Sequence, residues 1–152
     1  MHSESTVLHP SIAPSSFVFW INNGILMTTK EIGDIGERAA ARFLKKNKYK
    51  IKGRNLHFSH NEIDIVAEDK SYIVFVEVKT RSVDPSVDIN ISAPPSKAVT
   101  KGKQTHLIEA ARSYLKENPS KKQPRMDVVE ILIDKETQKV VGLNHIRNAY
   151  GA

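Results

Sequence analysis

Four charged side chains between residues 60 and 81 have the types and spacing of a metal-dependent phosphodiester site. This stretch reads as two β-strands joined by a turn around residues 69–71, and residues i and i+2 of a strand share a face. Glu62 and Asp64 therefore share one face of the first strand. Glu77 and Lys79 share one face of the second. In the register that places Asp64 opposite Glu77, Glu62 lies opposite Lys79. Opposed side chains are about 4.5–5.5 Å apart at Cβ, so the sequence predicts three carboxylates and one ammonium in one patch.

The chemistry of this patch favours a hard divalent cation. Carboxylates held this close repel one another and stay ionised only beside a compensating positive charge. Lys79 supplies one such charge, and a metal would supply the remainder. Oxygen ligands favour Mg²⁺ or Mn²⁺, and Mg²⁺ typically takes one or two carboxylates together with waters and phosphate oxygens. We therefore expect a Mg²⁺ (or Mn²⁺) site able to hold a phosphodiester.

Two other interpretations of the same residues stay open. The hairpin could be an ordinary surface hairpin at a sheet edge, with Glu62 and Lys79 as a cross-strand ion pair. His60 also shares the strand face of Glu62 and Asp64, which is compatible with a histidine and carboxylate site for Zn²⁺ or Mn²⁺. His60 stands at the start of the strand, where a solvated histidine is the more common case.

The apolar residues of the hairpin indicate that it belongs to a sheet covered on both sides. One face is entirely apolar: Ile63, Ile65, Ala67, Val74, Val76 and Val78. The charged face continues with Val66, Ile73 and Phe75, where a solvated face would alternate into polar residues.

The remaining elements predict an α/β fold with a mixed central β-sheet flanked by helices. Thr28 and Glu31 have capping-box spacing, and a helical period runs from there to about residue 47. Gly36 inside this helix suggests a close approach to the sheet. We predict strands over 49–56, 126–133 and 140–146, a functional loop over 82–95, and a second helix over 100–117. The second helix gives room for a crossover that makes the fourth strand parallel to the third.

Composition and charge favour a nucleic-acid partner. The 152 residues contain 23 Lys and Arg and 17 Asp and Glu, a net charge of +6, and a basic protein of this size attracts polyanions. The absence of cysteine fits the reducing cytosol. Candidate phosphate contacts are Lys101, Lys103 and Gln104 at the start of the second helix, and Arg54, which shares one side of the first strand with two lysines.

The first 27 residues differ from the rest of the chain. Glu4 is their only residue of fixed charge before Met27, and the apolar run from residue 17 to residue 26 is too short to span a bilayer. No basic residue precedes that run, as a secretory signal would require. We predict a disordered extension over residues 1–27, or translation that begins at Met27, ahead of one domain over 28–152. We expect a cytoplasmic protein without stable membrane insertion.

The order Asp64, then Glu77-Val78-Lys79, resembles the PD-(D/E)xK nuclease signature and its restriction-endonuclease-like fold. More closely, residues 33–150 resemble the YraN family of small bacterial proteins. The landmarks are Gly36-Glu37, Tyr49 with Asn55, Glu62-Ile63-Asp64, Phe75 through Arg81, Lys103, Arg125 with Asp127, and His145-Ile146 with Asn148-Ala149. The chain departs from the family at Asn61, where Gly is usual, and in the segment before Met27.

The resemblance implies roles for particular residues. Asp64 and Glu77 would bind Mg²⁺, with the Val78 carbonyl as a further ligand. Lys79 would position or deprotonate the attacking water. Glu37 would approach from the first helix as an outer carboxylate, and Glu62 would be an extra ligand or the partner of Lys79.

The resemblance also implies contacts and alternatives beyond the metal. Arg81 and Lys103 are candidate phosphate contacts, and Arg125 and Asp127 are expected to form a structural pair. The implied activity is metal-dependent hydrolysis of DNA or RNA, in branched or single-stranded form. A non-catalytic nucleic-acid-binding module and a protein with an acidic partner are the alternatives. Resolvase-type relatives are dimers, which leaves a homodimer open.

Overall fold

The computed structural model describes residues 20–22, 25–84, 86 and 99–151. Its elements in chain order are β1 (Trp20–Asn22), β2 (Ile25–Met27), α1 (Thr29–Lys46), β3 (Lys50–Phe58), β4 (Asn61–Glu68), β5 (Tyr72–Val83), α2 (Lys101–Glu117), β6 (Gln123–Asp134) and β7 (Val140–Tyr150). No helix in these described ranges is both long and apolar enough to cross a membrane.

A five-stranded mixed sheet forms the centre of the fold. Its strand order is β3-β4-β5-β6-β7, in which only β5 and β6 run parallel. The long connection through α2 makes this parallel pair, which confirms the predicted crossover. The tight β4–β5 turn is closed by Asp69, whose Oδ1 accepts from the N–H groups of Ser71 and Tyr72 at 2.8 Å each.

The two helices cover opposite faces of the sheet. One core cluster joins residues of α1 to Ile65, Val76 and Ile131 of the sheet. The other joins Leu107 and neighbouring residues of α2 to Phe75 and its neighbours. The prediction that both sheet faces are covered is therefore confirmed, and the chain has a helix–sheet–helix arrangement.

The predicted contact between α1 and the sheet is also confirmed. The capping box fixes where α1 begins: Glu31 N–H donates to the Thr28 hydroxyl at 3.2 Å, and Thr28 N–H donates to the Glu31 carboxylate at 2.7 Å. Two turns later, Gly36 lies against Thr80 of β5. A Cβ at Gly36 would overlap Thr80 Oγ1 and would lie 3.1 Å from its Cβ, so only glycine permits this approach.

Some boundaries differ from the predicted ones. Trp20–Asn22 and Ile25–Met27 pair as two short antiparallel strands. Residues 1–19, 23 and 24 lie outside the described residues, and the expected disordered extension stays a prediction. Most of the predicted loop over 82–95 also lies outside them, and β5 extends to Val83. Strand β6 begins at Gln123 and includes Pro124. Proline fits there because the β6–β7 ladder begins only at Met126.

Candidate active site

The two strands that carry the predicted carboxylates diverge at the site. The β4–β5 ladder has the predicted register over four pairs, from Glu68 with Ile73 to Ile65 with Val76, and then ends. Asp64 and Glu77 are the next residues on each strand. Asp64 Oδ2 accepts a hydrogen bond of 2.8 Å from the N–H of Val78, so a side chain occupies the position that the next backbone pair would have taken.

The predicted pairing of Glu62 with Lys79 is wrong because the ladder ends before it reaches them. Glu62 instead lies opposite His57 of β3. Lys79 Nζ lies 3.5 Å from Glu77 Oε1 on its own strand. The surface-hairpin interpretation depended on the Glu62–Lys79 pair and loses that support.

The positive charge at the site gathers around the carboxylate of Glu77. Glu77 is only 5 % exposed, and two lysines approach the same oxygen, Lys79 at 3.5 Å and Lys103 at 3.4 Å from Oε1. Lys103 stands in the first turn of α2, where the Thr100 side chain caps the helix by accepting from Lys103 N–H at 3.3 Å. The start of α2 therefore brings a second ammonium to a carboxylate 26 residues earlier in the chain.

Burial and neighbouring negative charges perturb the pKa of Asp64. Burial, and then the negative charge of Glu77, raise the pKa of Asp64 to about 7, although the Val78 N–H opposes the shift. The charge of Glu37 on α1 raises this pKa further. Below about pH 7, Asp64 therefore keeps its proton in the folded chain. A divalent cation could replace that proton and restore the negative charge of Asp64.

The strand geometry around Asp64 is irregular. Asn55 of β3 has a positive φ of 50°. In the β3–β4 register it lies between the pairs Arg54–Ile65 and Leu56–Ile63, which places it opposite Asp64. Ile63 packs in the core under α2, whereas Ile65 packs in the core under α1. The prediction that these two isoleucines share a face is wrong, because the strand alternation is broken at Asp64. Asn is among the few residues that adopt such a φ readily.

A cleft lies beside the carboxylate pair, between the first turns of α1 and the strands β3 and β4. Its volume is about 500 Å³, and its lining is Lys30, Gly33, Asp34, Glu37, Asn55, His57 and Glu62. Two predicted site residues, Glu37 and Glu62, thus face this cleft. Glu37 also pairs with Arg54 at 3.9 Å, which ties α1 to the edge strand next to Asp64.

The other predicted phosphate contacts are more dispersed. Arg81 Nη2 lies 3.3 Å from the buried Glu130 on β6. Gln104 Nε2 donates to the Val99 carbonyl at 3.1 Å, so its side chain supports the start of α2. Lys101 is exposed at that helix end.

The expected pair of Arg125 and Asp127 is confirmed, but no sequence pattern indicated the buried polar network that surrounds this pair at the start of β6. Asp127 is fully buried and accepts from Arg125 Nε and Nη2 at 2.8 Å each, and from Asn148 N–H at 2.9 Å. His145 Nε2 lies 2.7 Å from Asp127 Oδ2, and Arg125 also donates to the Tyr49 hydroxyl at 2.9 Å. Burial alone would raise the pKa of Asp127, but the hydrogen bonds from His145 and Arg125 hold it below its usual value.

A second missed residue, Tyr150, lies near the carboxylates. Its hydroxyl is buried and has no hydrogen-bond partner among the described residues. Burial raises the pKa of Tyr150, and the charges of Glu77, Asp127 and Asp64 raise it further. Sequence order gave no signal for this placement, since Tyr150 reaches the site only through the pairing of β7 with β6.

The donor set fits a hard cation with few protein ligands. In the described part of the chain, no three His, Cys, Asp or Glu side chains are grouped to hold a metal, and His60 is exposed in the β3–β4 turn. This supports neither the Zn²⁺ interpretation nor the predicted convergence of Glu62 with Asp64 and Glu77. A pair of carboxylates, by contrast, is the usual protein contribution to a Mg²⁺ site.

Comparisons with known proteins place the chain in a family. The profile described as "Uncharacterised protein family UPF0102" matches residues 36–131. A UPF0102 protein of Caldanaerobacter subterraneus subsp. tengcongensis is 39% identical over 122 residues, which cover 80% of this chain and 95% of that protein. One of Syntrophomonas wolfei subsp. wolfei is 41% identical over 122 residues, covering 80% of this chain and 98% of that protein. The chain therefore belongs to the UPF0102 family, which is the YraN family that its sequence resembles.

Proposed function

We propose that the chain is a metal-dependent nuclease that hydrolyses phosphodiester bonds in DNA or RNA. The observation that carries this proposal is the pair formed by the half-buried Asp64 and the buried Glu77 at the divergence of β4 and β5, with Lys79 and Lys103 within 3.5 Å of Glu77. The helix–sheet–helix arrangement with a parallel β5–β6 pair supports a restriction-endonuclease-like fold. The chain's lack of cysteine supports a cytoplasmic location.

In this proposal, Asp64 and Glu77 hold Mg²⁺ or Mn²⁺, with the Val78 carbonyl as a further ligand. The ion would polarise a phosphate oxygen and lower the pKa of bound water. The Val78 N–H fixes the orientation of the Asp64 carboxylate. Lys79 is 40% exposed and Lys103 is 50% exposed, so both ammonium groups can also reach a phosphate. They would hold the reacting group against the carboxylates and stabilise the charge that develops on it.

The two carboxylates in the cleft have supporting roles in the proposal. Glu37 adds negative charge next to Asp64, which strengthens the attraction of the site for a cation. Glu62 stands beyond the point where the strands separate, and its place opposite His57 makes it an outer residue of the site rather than a partner of Lys79.

A second candidate function is a nucleic-acid-binding module without catalysis. The two lysine contacts of Glu77 favour it, because a buried carboxylate with two ammonium partners is a stable ion-pair network without any metal. The two functions differ in one respect: only the nuclease requires Asp64 for chemistry, whereas both require the basic surface for binding.

The test is cleavage of labelled duplex, single-stranded, flapped and four-way-junction DNA and of structured RNA, with Mg²⁺ and with Mn²⁺. We expect the wild type to cleave at least one substrate and Asp64→Asn to cleave none. Glu109→Gln is the matched control, since Glu109 is an exposed carboxylate of α2 whose partner is His106. Equal cleavage by wild type and Asp64→Asn would refute the assignment. Binding without cleavage by the wild type would favour the second candidate.

A further inference from the structure

One end of the sheet concentrates the positive charge of the chain. It comprises the last turn of α1 and the start of β3 (45–52), the β4–β5 turn (68–71), and the end of α2 with the loop to β6 (116–122). We call these residues the lysine end. Of the 23 Lys and Arg and 17 Asp and Glu in the chain, nine lysines and three carboxylates lie here. Fourteen of each sign remain elsewhere, so the lysine end accounts for the whole net charge of +6.

Contacts between its segments show that the lysine end is one surface. Glu68 lies opposite Lys50 in the sheet and pairs with Lys52 at 3.6 Å and with Lys122 at 3.3 Å. Gln123 N–H donates to the Ser71 carbonyl at 3.1 Å, which joins the β4–β5 turn to the loop after α2. The three segments that are distant in sequence therefore meet.

Most of the lysines at this end are exposed and available. Of the three carboxylates there, Glu68 already forms ion pairs with two lysines, and Asp69 accepts hydrogen bonds from the N–H groups of the β4–β5 turn. In the ranges that the structure describes, the lysines of this end that are exposed and form no ion pair are Lys45, Lys46, Lys48, Lys50, Lys70, Lys116 and Lys121. Unpaired ammonium groups gathered on one surface repel one another, and a polyanion would relieve that repulsion.

The edge strand β3 leads from the lysine end to the candidate active site. Because β3 is at the edge of the sheet, the exposed Lys50, Lys52 and Arg54 follow one another along it. Arg54 pairs with Glu37, whose charge acts on Asp64. Asp64 is four residues from Glu68 along β4, which is about 13 Å at about 3.3 Å per residue. That distance corresponds to about four base pairs of duplex at about 3.4 Å each.

We propose that the lysine end is a docking surface for the phosphate backbone of a nucleic acid, which then follows β3 to the carboxylate pair. This inference rests on the proposed function for its choice of polyanion. It assigns affinity to the lysine end and chemistry to Asp64 and Glu77, so binding and cleavage should respond to different substitutions.

The test measures binding of a fluorescent 20-base-pair duplex and a 20-nucleotide single strand by anisotropy, in EDTA, across a series of salt concentrations. The double variant Lys50→Gln/Lys121→Gln is compared with the control Lys139→Gln/Arg147→Gln, which removes the same amount of charge. Both control residues are exposed; Lys139 directly precedes the opposite edge strand β7, and Arg147 lies on it. Each lost phosphate contact should reduce the log–log salt slope by about 0.9 for the duplex and about 0.7 for the single strand, and the affinity for the duplex by roughly tenfold at 0.1 M salt. Circular dichroism and thermal melting verify that both variants fold.

The outcomes separate this inference from the proposed nuclease activity. A reduced slope and affinity in the lysine-end variant alone would support the docking surface, even if wild type proves unable to cleave in Mg²⁺. Where wild type does cleave, that variant should need a higher substrate concentration to reach its half-maximal rate. Equal affinity and slope in both double variants, or no nucleic-acid binding by wild type, would overturn the inference.

Discussion

Replacing Asp64 by Asn should change how the stability of the metal-free protein depends on pH. Asp64 has a pKa of about 7 in the folded chain against an ordinary value of 3.8. Below about pH 4 the carboxyl is protonated in both the folded and the unfolded state. Between pH 4 and 7 the unfolded state releases the proton while the folded state keeps it, so the free energy of unfolding falls as pH rises. Above pH 7 this contribution is constant.

The size of the effect follows from the shift. A difference of about three pH units at about 1.36 kcal/mol per unit gives up to about 4 kcal/mol of lost stability by pH 7. Asparagine cannot ionise, yet its amide oxygen can still accept from the Val78 N–H. Asp64→Asn should therefore gain stability relative to wild type as pH rises from 4 to 8, by up to about 4 kcal/mol.

The assay is urea unfolding in EDTA at pH 4, 5, 6, 7 and 8, followed by circular dichroism. Asp69→Asn is a control of opposite sign. Burial raises the pKa of Asp69, but the Tyr72 and Ser71 N–H hydrogen bonds and the charges of Arg125 and Lys122 together lower it below its usual value. That variant should lose relative stability as pH rises through the ordinary range of Asp. Repeating the series with 10 mM Mg²⁺ should stabilise wild type at pH 8 but not Asp64→Asn. Parallel pH profiles of wild type and Asp64→Asn in EDTA would refute the electrostatic reasoning.

Four further substitutions test the packing around the site. Gly36→Ala should destabilise the fold by about 1–3 kcal/mol because the new Cβ would overlap Thr80. Gly33→Ala on the same helix is the control: its Cβ would have no atom within 4 Å, and the variant should gain up to about 1 kcal/mol of stability. Equal urea midpoints of the two variants would contradict this. Tyr150→Phe should leave stability unchanged or raise it by about 1 kcal/mol, because it removes a buried hydroxyl that has no hydrogen-bond partner among the described residues. A clear drop in melting temperature would show that the hydroxyl is hydrogen-bonded. Asp127→Ala should cost about 3–5 kcal/mol in urea unfolding, because it leaves Arg125 and His145 buried without their carboxylate, and a loss below 1 kcal/mol would refute that account.

Local rules were enough to predict the elements and much of their pairing. The capping box at Thr28 and Glu31, the turn at Asp69 and the apolar alternation of the hairpin are all short-range signals. They gave the start of α1 and the register of β4 with β5 because each depends on residues close together in sequence. The contact of Gly36 with the sheet was also predictable, since glycine inside a helix usually has a packing reason.

The contacts that sequence could not give are those set by the packing of distant elements. Lys103 meets Glu77 only because α2 lies on one face of the sheet. His145 meets Asp127 only through a β6–β7 ladder that contains register shifts. The Glu62–Lys79 prediction failed for the same reason, because a regular alternation was extended across the point where the strands separate.

Asp64 and Asp127 differ in their surroundings, and this difference is the strongest argument that function lies at Asp64. Asp127 is surrounded by donors that lower its pKa, as expected of a group kept for the fold. Asp64 stands where strand alternation breaks, opposite a residue with positive φ, and its pKa is raised by burial and by Glu77. Natural sequences tend to break several local rules together where function requires it. The cost in stability at Asp64 therefore supports the proposal that a cation and a phosphate bind there.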